Sequence, residues 1–203
     1  YFCTMKHKIL FLGPSDSPVV EWLRKNDENV FLTEEKITKD FVIKSAFSFL
    51  ISYGYRFILK KEILDLFPDK AINMHISLLP YNRGADPNFW SFIEGTPKGV
   101  TIHYLDQGLD TGDVIIQKEV SFISPEVETL SSSYNKLQKE IQNLFFQNWN
   151  SIKKQTNSRT PQEGVPTSHK VKDKNDLLYL MEPDGWNTRL SKLIDFSEKN
   201  KNL

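Results

Sequence analysis

Cysteine is nearly missing from this sequence: the single one, Cys3, excludes an internal disulfide and a cysteine-based zinc site. A reducing, cytoplasmic setting is therefore expected. Charge of one sign is not in excess either. Lys plus Arg and Asp plus Glu both count 26, whereas a general nucleic-acid binder needs a basic surplus to neutralise phosphates. No apolar run reaches the length of a membrane span or of a flanked signal-peptide core. Neither nucleic acid nor membrane is an expected partner. Internal repeats, low-complexity tracts and heptad arrays are missing too. What remains, 39% hydrophobic and 26% charged among 203 residues, is a globular composition sized for one α/β domain with or without a short appendage. Tyr1 to Thr4 precede Met5 and read as a vector-derived remnant, so that a start at Met5 leads straight into a strand.

Along the chain, apolar runs alternate with amphipathic stretches. "KILFLG" reads as a buried parallel strand ending at Gly13. "SDSPVVEWLRKN" reads as a helix, with Ser15 or Ser17 as N-cap and Pro18 in its first turn. Further strands are expected in "NVFLTEE", "FSFLISYGY", "AINMHIS", "GVTIHYLD" and "VIIQKEVSF". Helices are expected in "KKEILDLFPD", "DPNFWSFIEG" and, as the longest, "EVETLSSSYNKLQKEIQNLFFQNWNSIKKQ". This alternation predicts an α/β fold, a doubly wound and mostly parallel sheet with helices on both faces. Functional groups should then collect outside the carboxyl ends of the strands, where Gly13, Gly54, His75 and the loop after Tyr104 are expected. From Thr156 the composition turns to Ser, Thr, Pro, Gly and Lys, a loop with short strands before a last helix in "DGWNTRLSKLIDF". The expected division is a catalytic domain over 5–155 and a C-terminal extension over 156–203.

Three segments carry residues suited to chemistry. In "AINMHIS", Asn73 and His75 lie two apart and so share one strand face. "HYLDQGLDTGDVIIQ" interleaves Asp106, Asp110 and Asp113 with Gly108 and Gly112, and "ISYGY" ends a strand on Gly54. Taken singly, each also has a plain structural reading: a hydrogen-bonded histidine, an Asp/Gly turn, a glycine turn. "DQGLDTGD" lacks the ligand order and closing Glu of an EF-hand loop, so no metal site is expected.

Together the segments resemble the formyltransferases that use N10-formyltetrahydrofolate. That pattern has Asn-x-His, then Ser-Leu-Leu-Pro with a following Arg-Gly, then Leu-Asp-x-Gly before a strand. Here these stand as Asn73-Met-His75, "SLLPYNRGADP" and "LDTGDVIIQ". The resemblance runs from about residue 6 to about residue 150 and implies a Rossmann-like formyltransferase fold. It also implies a formyl-carrying folate as co-substrate and three catalytic residues. Asn73 would donate to the oxyanion, His75 would move protons, and Asp110 would hold the imidazole. The pterin would be lined by Tyr53, Gly54, Tyr55, Ile58, Leu105, Gly108 and Asp113.

The "RGADPNFW" variant and the C-terminal segment are most similar to sugar N-formyltransferases, which act on dTDP-linked 3- or 4-amino-dideoxy sugars for O-antigen synthesis. Ser77, Arg83, Gly84 and Trp90 would then face the nucleotide-sugar, with Trp90 equally readable as a core residue. Glycinamide ribonucleotide transformylase and a non-catalytic folate- or nucleotide-binding relative are the alternatives. Methionyl-tRNA formyltransferases carry a further barrel domain, for which too few residues follow about 155. The apolar residues Leu177, Leu178, Leu180, Trp186 and Leu193 predict a homodimer built from the C-terminal segment. Trp186 is open between that contact and stacking on a base.

Overall fold

The structure is a computed structural model describing residues 8–201. Tyr1 to Thr4 and Met5, read above as a remnant and a start, lie outside the described residues. In chain order the elements are β1 (Lys8–Leu12), α1 (Pro18–Lys25), β2 (Asn29–Thr33), α2 (Lys39–Ser45), β3 (Phe49–Ser52), α3 (Lys61–Leu64) and β4 (Ala71–His75). There follow β5 (Arg83–Gly84), α4 (Pro87–Ile93), β6 (Gly99–Tyr104), β7 (Val114–Glu119), α5 (Leu130–Lys153), β8 (Ser168–His169) and α6 (Leu190–Lys201). Six strands form one sheet in the order β2-β1-β3-β4-β6-β7. Helix α2 escapes the sequence reading because only Val42 in it is buried, too little for a periodic signal. Its start is fixed instead by the Thr38 hydroxyl, which accepts from Phe41 N at 3.3 Å.

β1 to β4 pair in parallel, but β6 runs antiparallel to β4 and β7 antiparallel to β6. This corrects one expectation. Tyr104 pairs with Ile72, and Leu105 N donates to Ala71 O at 2.9 Å. The loop after Tyr104 therefore leaves at the amino end of β4, opposite to His75, and doubles back along the sheet face.

Strand alternation sorts the side chains cleanly. One face carries Ile9, Phe11, Phe49, Ile51, Ile72, Met74, Val100 and Ile102 and is covered by α1 and α5. The other carries Leu10, Leu12, Leu50 and Ala71, packed under α2 and α3. On that second face the apolar cover stops at β4. Ser52, Asn73 and His103 stand in one register row across β3, β4 and β6, with His75 opposite Thr101. Loops, not a helix, lie over this polar strip.

A third apolar cluster joins Phe89, Trp90, Phe92 and Leu130 to Leu180, Leu190 and Leu193. Residues before and after position 155 thus share a core. Leu180 and Leu193, part of the apolar patch read from sequence, are buried against their own chain, while Leu178, Tyr179 and Trp186 stay 43%, 57% and 49% exposed. No helix among the described residues is long and apolar enough to cross a membrane.

Candidate active site

The polar strip is closed by two loops. The first, residues 76–86, follows β4 and is pinned from below: Thr101 Oγ1 donates to Ser77 O at 2.7 Å and accepts from Leu79 N at 3.1 Å. Ser77 is buried and its hydroxyl donates to Tyr81 O at 2.8 Å. The second loop, 105–113, makes an Asp turn in which Asp106 Oδ1 accepts from Gly108 N and Thr111 Oγ1. Gly112 is required there, because a Cβ would lie 1.9 Å from Tyr104 O. The turn puts Asp110 at φ +51° and aims its carboxylate into the strip.

Four side chains meet at that point. Asp110 Oδ1 accepts from Asn73 Nδ2 at 3.1 Å, and Oδ2 accepts from the Gly84 amide at 2.8 Å. The same carboxylate lies 3.7 Å from His75 Nδ1 and 3.5 Å from His103 Nε2. Asn73 Nδ2 is also 3.3 Å from His103 Nε2, and His103 Nδ1 is 2.8 Å from Tyr104 O. A carbonyl only accepts, so in neutral His103 the hydrogen is on Nδ1, and Nε2 receives one Asn73 hydrogen. Burial pushes the Asp110 carboxyl up. The positive charge that His75 and His103 carry when protonated, together with the Gly84 amide, outweighs that and holds it well below the usual carboxylate range.

Asn73, His75 and Asp110, chosen from sequence, are therefore brought together, with Gly84 supplying its backbone. Arg83 is half-buried beside them; its guanidinium donates to Gln162 Oε1 at 2.7 and 3.2 Å. Gln162 Nε2 in turn donates to Asp110 O and Gly112 O, both at 2.8 Å. Trp90 is buried in the third cluster and stacks on His169 at 3.7 Å.

The remaining selected residues lie in different surroundings. Tyr53 points away from the strip into the first core; its hydroxyl contacts Gln138 and accepts from Gln142 at 3.0 Å, and burial pushes it up to about 12. Gly54, at φ +70°, turns the chain into residues 54–59. Within that stretch the Tyr55 hydroxyl donates to Glu35 O, and Ile58 is 82% exposed. Leu105 packs on the second core. Gly108 lies in the Asp106 turn, and Asp113 is paired at 2.7 Å with Arg159, which also contacts Asp69.

Sequence reasoning passed over His103, although Thr101 and His103 alternate in "GVTIHY" as Asn73 and His75 do in "AINMH". Gln162, Asn82 and Thr167 gave no signal. They act through contacts between segments about 80 residues apart in the chain, which no local pattern encodes.

A formyl transferase family profile matches residues 16–148. A methionyl-tRNA formyltransferase of Syntrophus aciditrophicus is 38% identical over 136 residues, 66% of this chain and 40% of that protein. The chain thus spans about two fifths of the length of that curated relative. Among solved structures, the formyltransferase PseJ from Anoxybacillus kamchatkensis superposes with a TM-score of 0.87 at 44% identity, covering 93% of this chain and 98% of that one. That structure is a complex with UDP-4,6-dideoxy-4-formamido-L-AltNAc and tetrahydrofolate. A 4-N formyltransferase from Francisella tularensis shares the fold at 22% identity and a TM-score of 0.73, over 94% and 86% of the two chains.

Proposed function

The chain belongs to the formyl transferase family, and from that premise we propose that it transfers a formyl group from N10-formyltetrahydrofolate to the amine of a nucleotide-linked amino-dideoxy sugar. The observation that carries the reading is the convergence of Asn73, His75 and Asp110 on a helix-free strip of the sheet. An amide donor, an imidazole and a carboxylate are what acyl transfer between nitrogens requires.

The folate supplies a formyl group on an aryl nitrogen, ready to leave. The surrounding residues suit such a flat, amide-edged molecule. No residue from 54 to 59 makes a backbone hydrogen bond to another described residue, so donors and acceptors are free along one edge. Phe57, Ile58 and Leu109 are 41%, 82% and 45% exposed, apolar surface for a ring face. Gly54 would let the ring approach the backbone, with Tyr55, Leu105 and Gly108 as further candidates to contact it. Tyr53 and Asp113 would contribute main chain only, since their side chains are engaged elsewhere.

His75 takes the proton that the attacking amine loses as its nitrogen bonds the formyl carbon. As the bond to the folate nitrogen breaks, that nitrogen takes up the proton His75 received, which returns the imidazole to its neutral form. Asp110 stabilises the imidazolium in between. Asn73 donates to the formyl oxygen as negative charge builds on it. Both its amide hydrogens are engaged at rest, and the 3.3 Å contact to His103 is the longer one to give up.

The acceptor is read from likeness along nearly the whole chain. The relative at 44% identity holds a UDP-linked 4-formamido sugar, whereas those whose structures contain dTDP or dTDP-3-aminofucose match at 20% and 19%. This likeness supports uridine diphosphate over the dTDP expected from sequence, with Arg83 facing the sugar or diphosphate. Incubating the protein with formyltetrahydrofolate and UDP- and dTDP-amino sugars, with initiator methionyl-tRNA alongside, tests this. A mass gain of one formyl group on a UDP-amino sugar is expected; formylation of tRNA alone would overturn the reading. Assembly as a homodimer rests on Leu178, Tyr179 and Trp186, and a monomer by light scattering would refute it.

A further inference from the structure

Which nitrogen of His75 carries its hydrogen is set by the loop opposite. His75 Nε2 lies 3.0 Å from Asn82 O. A carbonyl only accepts, so in the neutral ring the hydrogen is on Nε2, and Nδ1, facing Asp110, is the nitrogen free to take a proton.

Asn82 is held with unusual completeness. It is fully buried, at φ +54°. Its backbone N donates to Thr167 Oγ1 at 2.9 Å, its Nδ2 to Glu94 Oε2 at 2.8 Å, and its Oδ1 accepts from Thr96 Oγ1 at 2.8 Å. Glu94 is fixed in turn by Thr167 Oγ1 at 2.8 Å and by His169 at 2.7 Å, whose ring is stacked on Trp90. Thr167 and His169 lie beyond residue 148, where the family match ends. β8 lays them on the catalytic loop by pairing with β5. Burying so many polar atoms is costly unless each is satisfied, and a satisfied network specifies one position for its members. The position specified here is that of a single carbonyl.

We infer that Asn82 is a positioning residue for His75, locked by Glu94, Thr96 and Thr167 so that its carbonyl keeps His75 as the Nε2–H tautomer and leaves Nδ1, on the Asp110 side, open to take a proton. This rests on the formyl-transfer reading above for its consequence, though not for its measurement. Without substrate, a long-range 1H–15N spectrum of the imidazoles reads each tautomer, and loss of a signal in His75→Asn assigns it. Wild type is expected to show His75 as Nε2–H alone. Asn82→Gly keeps a residue at ease at positive φ but removes the anchor. Both tautomers should then appear, and kcat should fall roughly 10- to 100-fold with KM for both substrates unchanged, as for a reacting group misplaced by about 1 Å. Thr167→Val should move both readouts the same way, to a smaller extent. If Asn82→Gly does not fold, Thr167→Val and the wild-type spectrum decide the matter. A wild-type His75 protonated on Nδ1 overturns the inference. So does a variant that loses kcat while keeping a single Nε2–H signal, because the loss then does not pass through His75. Failure of wild type to formylate any acceptor would instead sink the function reading, leaving the spectrum to decide this one.

Discussion

Replacing Asp110 by Asn is the most informative single perturbation, because the backbone tolerates it and the site should not. Asp110 sits at φ +51°, a conformation that Asn adopts as readily as Asp, so no strain is added. Its two oxygens accept from Gly84 N at 2.8 Å and Asn73 Nδ2 at 3.1 Å, and its side chain is 11% exposed. An amide keeps one acceptor, so one of these donors would face an NH2 group. Losing one charge-assisted hydrogen bond costs about 1.5–3 kcal/mol and weakens the other, while burying a neutral amide costs less than burying a carboxylate. A net loss of about 2 kcal/mol in unfolding free energy follows. Its pH dependence has a definite sign. The folded carboxyl is held below its unfolded value of about 3.9. Its contribution is therefore fully present above that value and is lost only as pH falls through the lower, folded one. Urea unfolding followed by tryptophan fluorescence should show a gap between wild type and variant that does not narrow from about pH 7 to about pH 5. Turnover should drop by about 10²–10⁴-fold, the range of general acid–base catalysis, because the imidazolium formed at His75 loses the carboxylate that faces its Nδ1. A gap that closes over this range, or turnover within tenfold of wild type, would refute both the charge argument and the role given to Asp110.

His75→Asn should lower kcat by about 10²–10⁴-fold with little change in unfolding free energy, measured by single-turnover formyl transfer. Asn73→Ala should raise the barrier by about 2.7–4 kcal/mol if its amide serves the oxyanion; an unchanged kcat would return Asn73 to a purely structural part. Trp149→Ala lies on the opposite sheet face, where the indole is 2% exposed, edge-on to Phe49 at 5.2 Å and bonded to Glu28 at 2.9 Å. It should lower stability by about 3–5 kcal/mol, yet leave kcat of the folded fraction near normal.

Much of the fold was legible because strand and helix periods are local. The runs that became β1, β3, β4 and β6 are apolar throughout or alternate cleanly, and α5 keeps its period over 24 residues. Strand direction was not legible: "GVTIHYLD" reads alike whether β6 lies parallel or antiparallel to β4. That single unknown moved the start of the Asp110 loop to the other end of β4. In the site, Asn73 and His75 were visible as polar residues interrupting an apolar strand. Glu94, Thr167 and Gln162 were not, because an isolated polar residue in a loop looks the same whether it faces solvent or clamps another segment. Leu180 and Leu193 were assigned to a surface for a second copy for a related reason, whereas their own chain buries them. Apolar content reveals that a surface will be buried, not whether its own chain or a second copy buries it.

The register row Ser52, Asn73, His103 makes the chemistry hostage to the count of residues in β4. Because side chains alternate, deleting one residue there would exchange Asn73 and His75 with Ile72 and Met74. Polar groups would enter the layer beneath α5 while aliphatic ones filled the strip. Length changes in this strand should therefore be forbidden for two unrelated reasons at once. The loops above it bring Asn82 O, Gly84 N and the Asp110 carboxylate to the strip, so a change of length there is tolerated only where these three points stay in place.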